Sequence, residues 1–200
     1  MLPLLLFNRY NSNTRYGHIF FNIAYARSGL SDKAERANKL YHDMKKLYLA
    51  GNQHVRPNVV AVNAVLNACA FTTTGDDIRL QNRVVEIAHS ILKDLEQTPN
   101  VFGKPDQVTY GTFMKTCANQ MPDSHTRQQI VEILFKKCAK NGQVGDLVLQ
   151  QFRCMASEEL YQQLIGRSIS DTSIRLEDLP KEWSCNVVEG KWRRRRNQQS

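Results

Sequence analysis

The sequence predicts an all-α fold: a short solenoid of stacked helical hairpins, an α-α superhelix, closed by a partly irregular C-terminal cap. Three observations carry this. A phrase is written twice, RPNVVAVNAVLNACA over residues 56–70 and KPDQVTYGTFMKTCA over residues 104–118. Pro57/Pro105, Val60/Val108, Cys69/Cys117 and Ala70/Ala118 are identical, and Arg56/Lys104, Asn58/Asp106, Val65/Phe113 and Leu66/Met114 are alike in kind. Each copy is followed by apolar residues at helical spacing. A second alignment, Ala37, Asp43 and Met44 with Ala88, Asp94 and Leu95, falls near the end of those following helices. A hairpin that recurs in this way cannot bury its apolar faces alone, so neighbours must stack.

Residues 1–15 read as a leader, whose Met1-Leu2-Pro3-Leu4-Leu5-Leu6-Phe7 run is too short for a bilayer and is broken by Pro3. No acidic residue precedes Asp32, while Arg9, Arg15 and Arg27 do. Arg-bearing, acid-poor starts have the composition of organelle import signals, and a chance resemblance at a misread chain start fits as well.

Repeats are expected over residues 16–145, divided at about 16–58, 59–106 and 107–142. In the first, Phe20 to Arg27 reads as a weak inner helix. Ser28-Gly29 is a turn, and Ser31 or Asp32 is placed to cap the next helix. That helix carries Ala34, Ala37, Leu40, Tyr41, Met44 and Leu47 as its apolar stripe. In the second, Val59 to Ala70 is the inner helix and Val84, Val85, Ala88, Ile91, Leu92 and Leu95 mark the outer one. In the third, Val108 to Asn119 is followed by Ile130, Val131, Leu134, Phe135 and Cys138, with Asp123 or Ser124 as cap. Proline at 57 and 105 fits a chain leaving one helix, since proline cannot continue the ladder. Phe71 to Leu80 and Gln97 to Gly103 read as loops that lengthen the middle unit beyond the usual mid-thirties.

Residues 146–189 match no repeat and read as a cap on the exposed end of the stack. Glu158 to Ile165 is a short helix closing at Gly166, and Leu176 to Trp183 an extended segment held by Trp183. The basic tail, residues 190–200, follows.

The net charge of +8 is unevenly spread. Residues 1–154 hold 19 Lys/Arg against 12 Asp/Glu, residues 155–189 hold 3 against 7, and the last 11 residues add five cations. A basic body suits a polyanionic partner; ordinary scatter over a solvated surface gives the same numbers. The five cysteines, odd in number and without a C-x-x-C pair, read as reduced thiols in a core. No cofactor or metal is expected, since tetrahedral zinc needs four clustered ligands. His18, His42, His54, His89 and His125 are scattered, and no nucleophile elbow, zincin motif or P-loop is present. Glu158, Glu159, Asp171, Glu177 and Asp178 lie in a polar region that reads as solvated surface. An enzyme is therefore not expected.

The double phrase, with P-D-x-V-T-Y at Pro105 to Tyr110 and the second-helix pattern Ala37…Asp43-Met44, resembles the pentatricopeptide repeat. The resemblance covers about residues 16–145. It implies sequence-directed binding of single-stranded RNA in mitochondria or plastids, one base per repeat. In that family the fifth and last residues of a repeat face the base edge, and the second packs against the base. The middle unit then supplies Val60, Asn63 and Asp106, a pair that in the family favours pyrimidines, uracil first. Asn63 has both donor and acceptor for a Watson–Crick edge. The same residues could instead bridge and cap their own helices. The last unit keeps Val108 but has Gly111 at the fifth place, and the first ends in Asn58. Val60 and Val108 could sandwich one base. In the tail, Lys191, Arg193, Arg194, Arg195 and Arg196 could hold phosphates with Trp192 stacking on a base, or form a loose basic end.

The resemblance thus implies a non-catalytic RNA-binding adaptor in organelle RNA processing, stability or translation, with RNA-processing proteins as further partners and no membrane. The alternatives are a tetratricopeptide-like scaffold that holds a peptide, or a piece of an RNA-processing enzyme such as protein-only RNase P.

Overall fold

A computed structural model describes residues 30–188. The weak helix expected at Phe20 to Arg27, the leader and the basic tail lie outside them. The described residues are all-α, with eight helices and no strand.

Helix α1 (Lys33–Leu49) buries Ala34, Ala37, Tyr41 and Met44, the expected stripe, while Leu47 stands half out of it. Asp32 occupies the N-cap position but makes no side-chain capping bond. It pairs instead with Arg36 one turn on, at 2.7 Å. A single 3-10 turn, Gln53–Val55, then leads into α2 (Val59–Ala70), the inner helix expected from the first copy of the phrase. α2 contains no charged residue, and eight of its twelve residues are buried. A helix apolar nearly all round must sit inside a fold rather than on it.

α3 (Ile78–Gln97) is amphipathic and begins earlier than its apolar stripe, so the preceding loop ends at Asp77. Asp77 caps it by accepting from the N–H groups of Arg79 and Leu80. The segment expected as a plain loop, Gln97 to Gly103, holds a four-residue helix, α4 (Pro99–Phe102). Proline at its first position fits, because that N–H has no helical partner in any case. α5 (Gln107–Gln120) and α6 (His125–Lys140) form the next hairpin, with Ser124 as the cap of α6.

The cap segment departs from expectation at its start. Residues Asp146–Met155 form α7, which packs against α5 as α5 packs against α2. Counted from the N-caps Asn58, Asp106 and Gly145, the residues three places on are Ala61, Thr109 and Val148. Seven places on they are Val65, Phe113 and Phe152. All six are buried. The register of the inner helix is therefore written a third time, in residues that do not spell the phrase. α8 (Glu158–Ile165) completes this hairpin and ends at Gly166, whose φ of +80° lies in the left-handed region.

Beyond α8 the chain folds back along the end of the stack. Leu176 to Trp183 is not extended: it forms two 3-10 turns, Leu176–Asp178 and Lys181–Trp183, and the Trp183 carbonyl of the second accepts from Val144 N–H of the stack (2.8 Å). Proline at 180 between the turns sets the bend. Phe135 of α6 stacks on Phe152 of α7 at 4.1 Å, Trp183 meets Phe135 edge-on at 5.6 Å, and Tyr161 of α8 stacks on Phe152. These four rings fasten the last hairpin and the returning chain to the stack.

All five cysteines are free. Cys69, Cys117 and Cys138 are in the core as expected, but Cys154 and Cys185 are exposed. Cys154 falls on the outward side of the short α7, and Cys185 lies in the returning segment. Among the described residues no helix is long and apolar enough to cross a membrane.

Candidate nucleic-acid interface

The exposed stripe of α2 is narrow, because every other side of that helix is packed. It consists of Val60, Asn63, Asn67 and, at the C-cap, Phe71. Spacings of three and four residues place these one above another on a single face. On α5 the same places are held by Val108, Gly111, Lys115 and Asn119, and on α7 by Leu147, Gln150 and Cys154. The three inner helices thus present one common face. Val60 is 47% exposed and Val108 41% exposed.

At the junction of α2 and α5 the structure brings Asn63 and Asp106 together. Asn63 Nδ2 donates to Asp106 Oδ1 at 3.1 Å. A third residue closes the group. The hydroxyl of Thr109 donates to Asn63 Oδ1 at 2.7 Å, and Thr109 Oγ1 accepts from the N–H of Asp106 at 3.1 Å. Asp106 Oδ1 in turn accepts from Thr109 N–H at 2.8 Å, so Asp106 and Thr109 make a capping box for α5. The cap and the pair are one network. It fixes the Asn63 amide with its carbonyl toward Thr109 and its NH2 toward Asp106. These bonds use one of the two Nδ2 hydrogens and one of the two Asp106 oxygens. They leave an N–H donor beside a carboxylate acceptor, both half-buried at the exposed stripe.

Thr109 is the residue that sequence reasoning missed. Its signal was present: a hydroxyl three places after an Asp that follows a proline is the capping-box spacing.

The other expected positions behave differently. Asn58 is the N-cap of α2, its Oδ1 accepting from Ala61 N–H at 3.0 Å. Gly111 does not leave open space on this face. A Cβ built there would stand 2.6 Å from Leu147 Cγ and 2.9 Å from Leu147 Cδ2. Leu147 fills the place that any side chain at 111 would need. Lys191 and Arg193 to Arg196 lie outside the described residues.

Of the acidic residues near the C-terminus, several hold local backbone. Glu158 accepts from Ile169 N–H, Asp178 from Arg175 N–H, and Asp171 from both the N–H and the hydroxyl of Ser173. The bonds from Ser173 hold the exposed Asp171 carboxyl below its ordinary range. Among the described residues no three His, Cys, Asp or Glu side chains converge as a metal would require.

Compared with models of known protein families, with curated proteins and with solved structures, the chain matches none.

Proposed function

We propose that the chain binds single-stranded RNA across the common face of α2, α5 and α7, as a non-catalytic adaptor in organelle RNA processing, stability or translation. The observation that carries this is the fixed Asn63–Asp106–Thr109 group, set between two half-exposed valines. A donor and an acceptor side by side complement a donor–acceptor pair on a base edge. The valines on either side supply apolar contact to the base faces, which is indifferent to sequence. The pentatricopeptide resemblance supports the same residues and favours uracil for this pair.

One reading group specifies little. Gly111, filled by Leu147, contributes no second group, so the preference resides at one nucleotide and neighbouring contacts supply affinity. Such a chain acts with partner proteins that add contacts.

The test is fluorescence anisotropy with eight-nucleotide uridine and adenosine strands at physiological salt. Binding with preference for uridine is expected, and Asn63→Ala with Asp106→Ala should level the two affinities. Absence of binding to both strands would remove the proposal.

A further inference from the structure

At the far end of the same face stands a second feature that the base-reading group does not explain. Phe71, the C-cap of α2, is 45% exposed, although α2 is otherwise buried save for its stripe. The ammonium of Lys115, from the neighbouring inner helix α5, lies over this ring at 4.2 Å from its centroid. Phe71 is eight residues from Asn63, or ~12 Å along a helix rising 1.5 Å per residue. That exceeds what one base can bridge. Nothing in the core needs an aromatic ring here. The end of α2 is held without the ring: buried Thr72 donates its hydroxyl to the Ala68 carbonyl, and Asn119 Nδ2 donates to the Ala70 carbonyl at 2.7 Å.

An exposed ring with a cation against one side offers a flat apolar surface and a positive charge within one nucleotide's reach. Every nucleobase has a π-face, and its own phosphate carries the opposite charge to Lys115. From this geometry we infer that Phe71 and Lys115 form a second RNA contact, in which a base stacks on the ring and Lys115 takes the adjoining phosphate. The inference rests on the RNA reading above and adds to it a sequence-independent clamp. Asn63 and Asp106 choose a base; Phe71 and Lys115 hold any strand that extends far enough to reach them.

The two roles separate in one experiment on the full chain with eight-nucleotide uridine and adenosine strands. Phe71→Leu keeps apolar volume and removes the ring. It should weaken both strands by the same factor, about five- to a hundredfold for one lost stack, leaving their ratio unchanged. Lys115→Gln should lower the slope of log affinity against log salt by about 0.7, the share of one phosphate on a single strand. Phe71→Trp should bind like the parent and show indole quenching on addition of either strand, beyond any change seen with the parent. Circular dichroism melts confirm that each variant is folded.

If the parent binds and Asn63→Ala changes the ratio, while Phe71→Leu binds unchanged and Phe71→Trp is not quenched, the clamp is overturned and the base-reading proposal stands. If the parent binds neither strand, both fall. If Phe71→Leu changes the uridine-to-adenosine ratio instead of both affinities alike, the clamp is wrong in kind, because stacking does not select.

Discussion

Removing the Thr109 hydroxyl tests whether the α5 cap and the Asn63–Asp106 pair are one network. Thr109 is wholly buried, and Thr109→Val keeps its shape while deleting one acceptor and one donor. The acceptor serves the N–H of Asp106 and the donor serves Asn63 Oδ1. A stranded backbone N–H costs about 1–3 kcal/mol, whereas Asn63, being half-buried, recovers part of its loss from water. The sum is about 2–3 kcal/mol, which for a chain of this size lowers the melting temperature by roughly 4–12 °C. The control is Thr109→Ser, which keeps the hydroxyl and loses a buried methyl at about 0.8 kcal/mol. Urea and thermal unfolding followed by circular dichroism should therefore order the proteins parent, Ser, Val. Burial alone would favour valine, the more apolar residue, in this site. A valine variant as stable as the serine variant or more so refutes the network. The uridine preference supplies a second readout: it should fall in the valine variant, where the Asn63 amide is held only by its bond to Asp106, and persist in the serine variant.

Other expectations follow from the core and the helix contacts. Burial pushes the thiols of Cys69 and Cys117 up to about 12 from 9, and raises Cys138 and Tyr41 as well. A folded-state value above the unfolded one gives stability that is complete below pH ~9 and lost as pH rises toward 12. Unfolding free energies from urea melts should thus fall steeply across pH 9 to 12, and a flat profile would contradict the burial. At pH 8 a thiol reagent should label Cys154 and Cys185 quickly and the other three only on denaturation, counted by mass spectrometry. Phe152→Ala removes a ring stacked on both Phe135 and Tyr161 and should cost about 3–5 kcal/mol in urea unfolding. Gly111→Ala should destabilise in spite of alanine's better helix propensity, since its Cβ meets Leu147; Leu147→Ala in the same chain should turn the change into a gain of up to ~1 kcal/mol.

Most of the helices could be read from the chain because period and caps agree locally. α2 and α5 fall where the double phrase puts them, and Ser124 and Gly166 act as the terminal signals they resemble. α7 escaped because the signal used was the phrase and not the burial it encodes. Val144-Gly145 stands where a proline and an acidic or amide residue stood before. Yet Val148, Leu149, Phe152 and Met155 keep the apolar spacing, and that is all packing requires. The two 3-10 turns of the returning segment were out of reach for a different reason. They are set by long-range contacts, the Trp183 ring on Phe135 and its carbonyl on Val144, which no local pattern announces. At the site, the proximity of Asn63 and Asp106 came from the resemblance, while Thr109 and the Phe71–Lys115 contact needed coordinates.

Two demands compete on the face of the inner helices, and the junctions resolve them differently. Between α2 and α5 the position five places after the cap is Asn63, and its polar group is satisfied by the cap of the next helix. A polar residue is tolerable there because Asp106 and Thr109 meet it; without them a half-buried amide would be a cost. Between α5 and α7 the cap is Gly145, which offers no side chain. An asparagine at 111 would have no such partner, and Leu147 would obstruct it. Glycine removes both difficulties and lets Leu147 cover the helix. A glycine at 111 and a cap without a side chain at 145 thus belong together in packing terms. The stack therefore continues through α7 although the polar pair seen between α2 and α5 does not recur between α5 and α7.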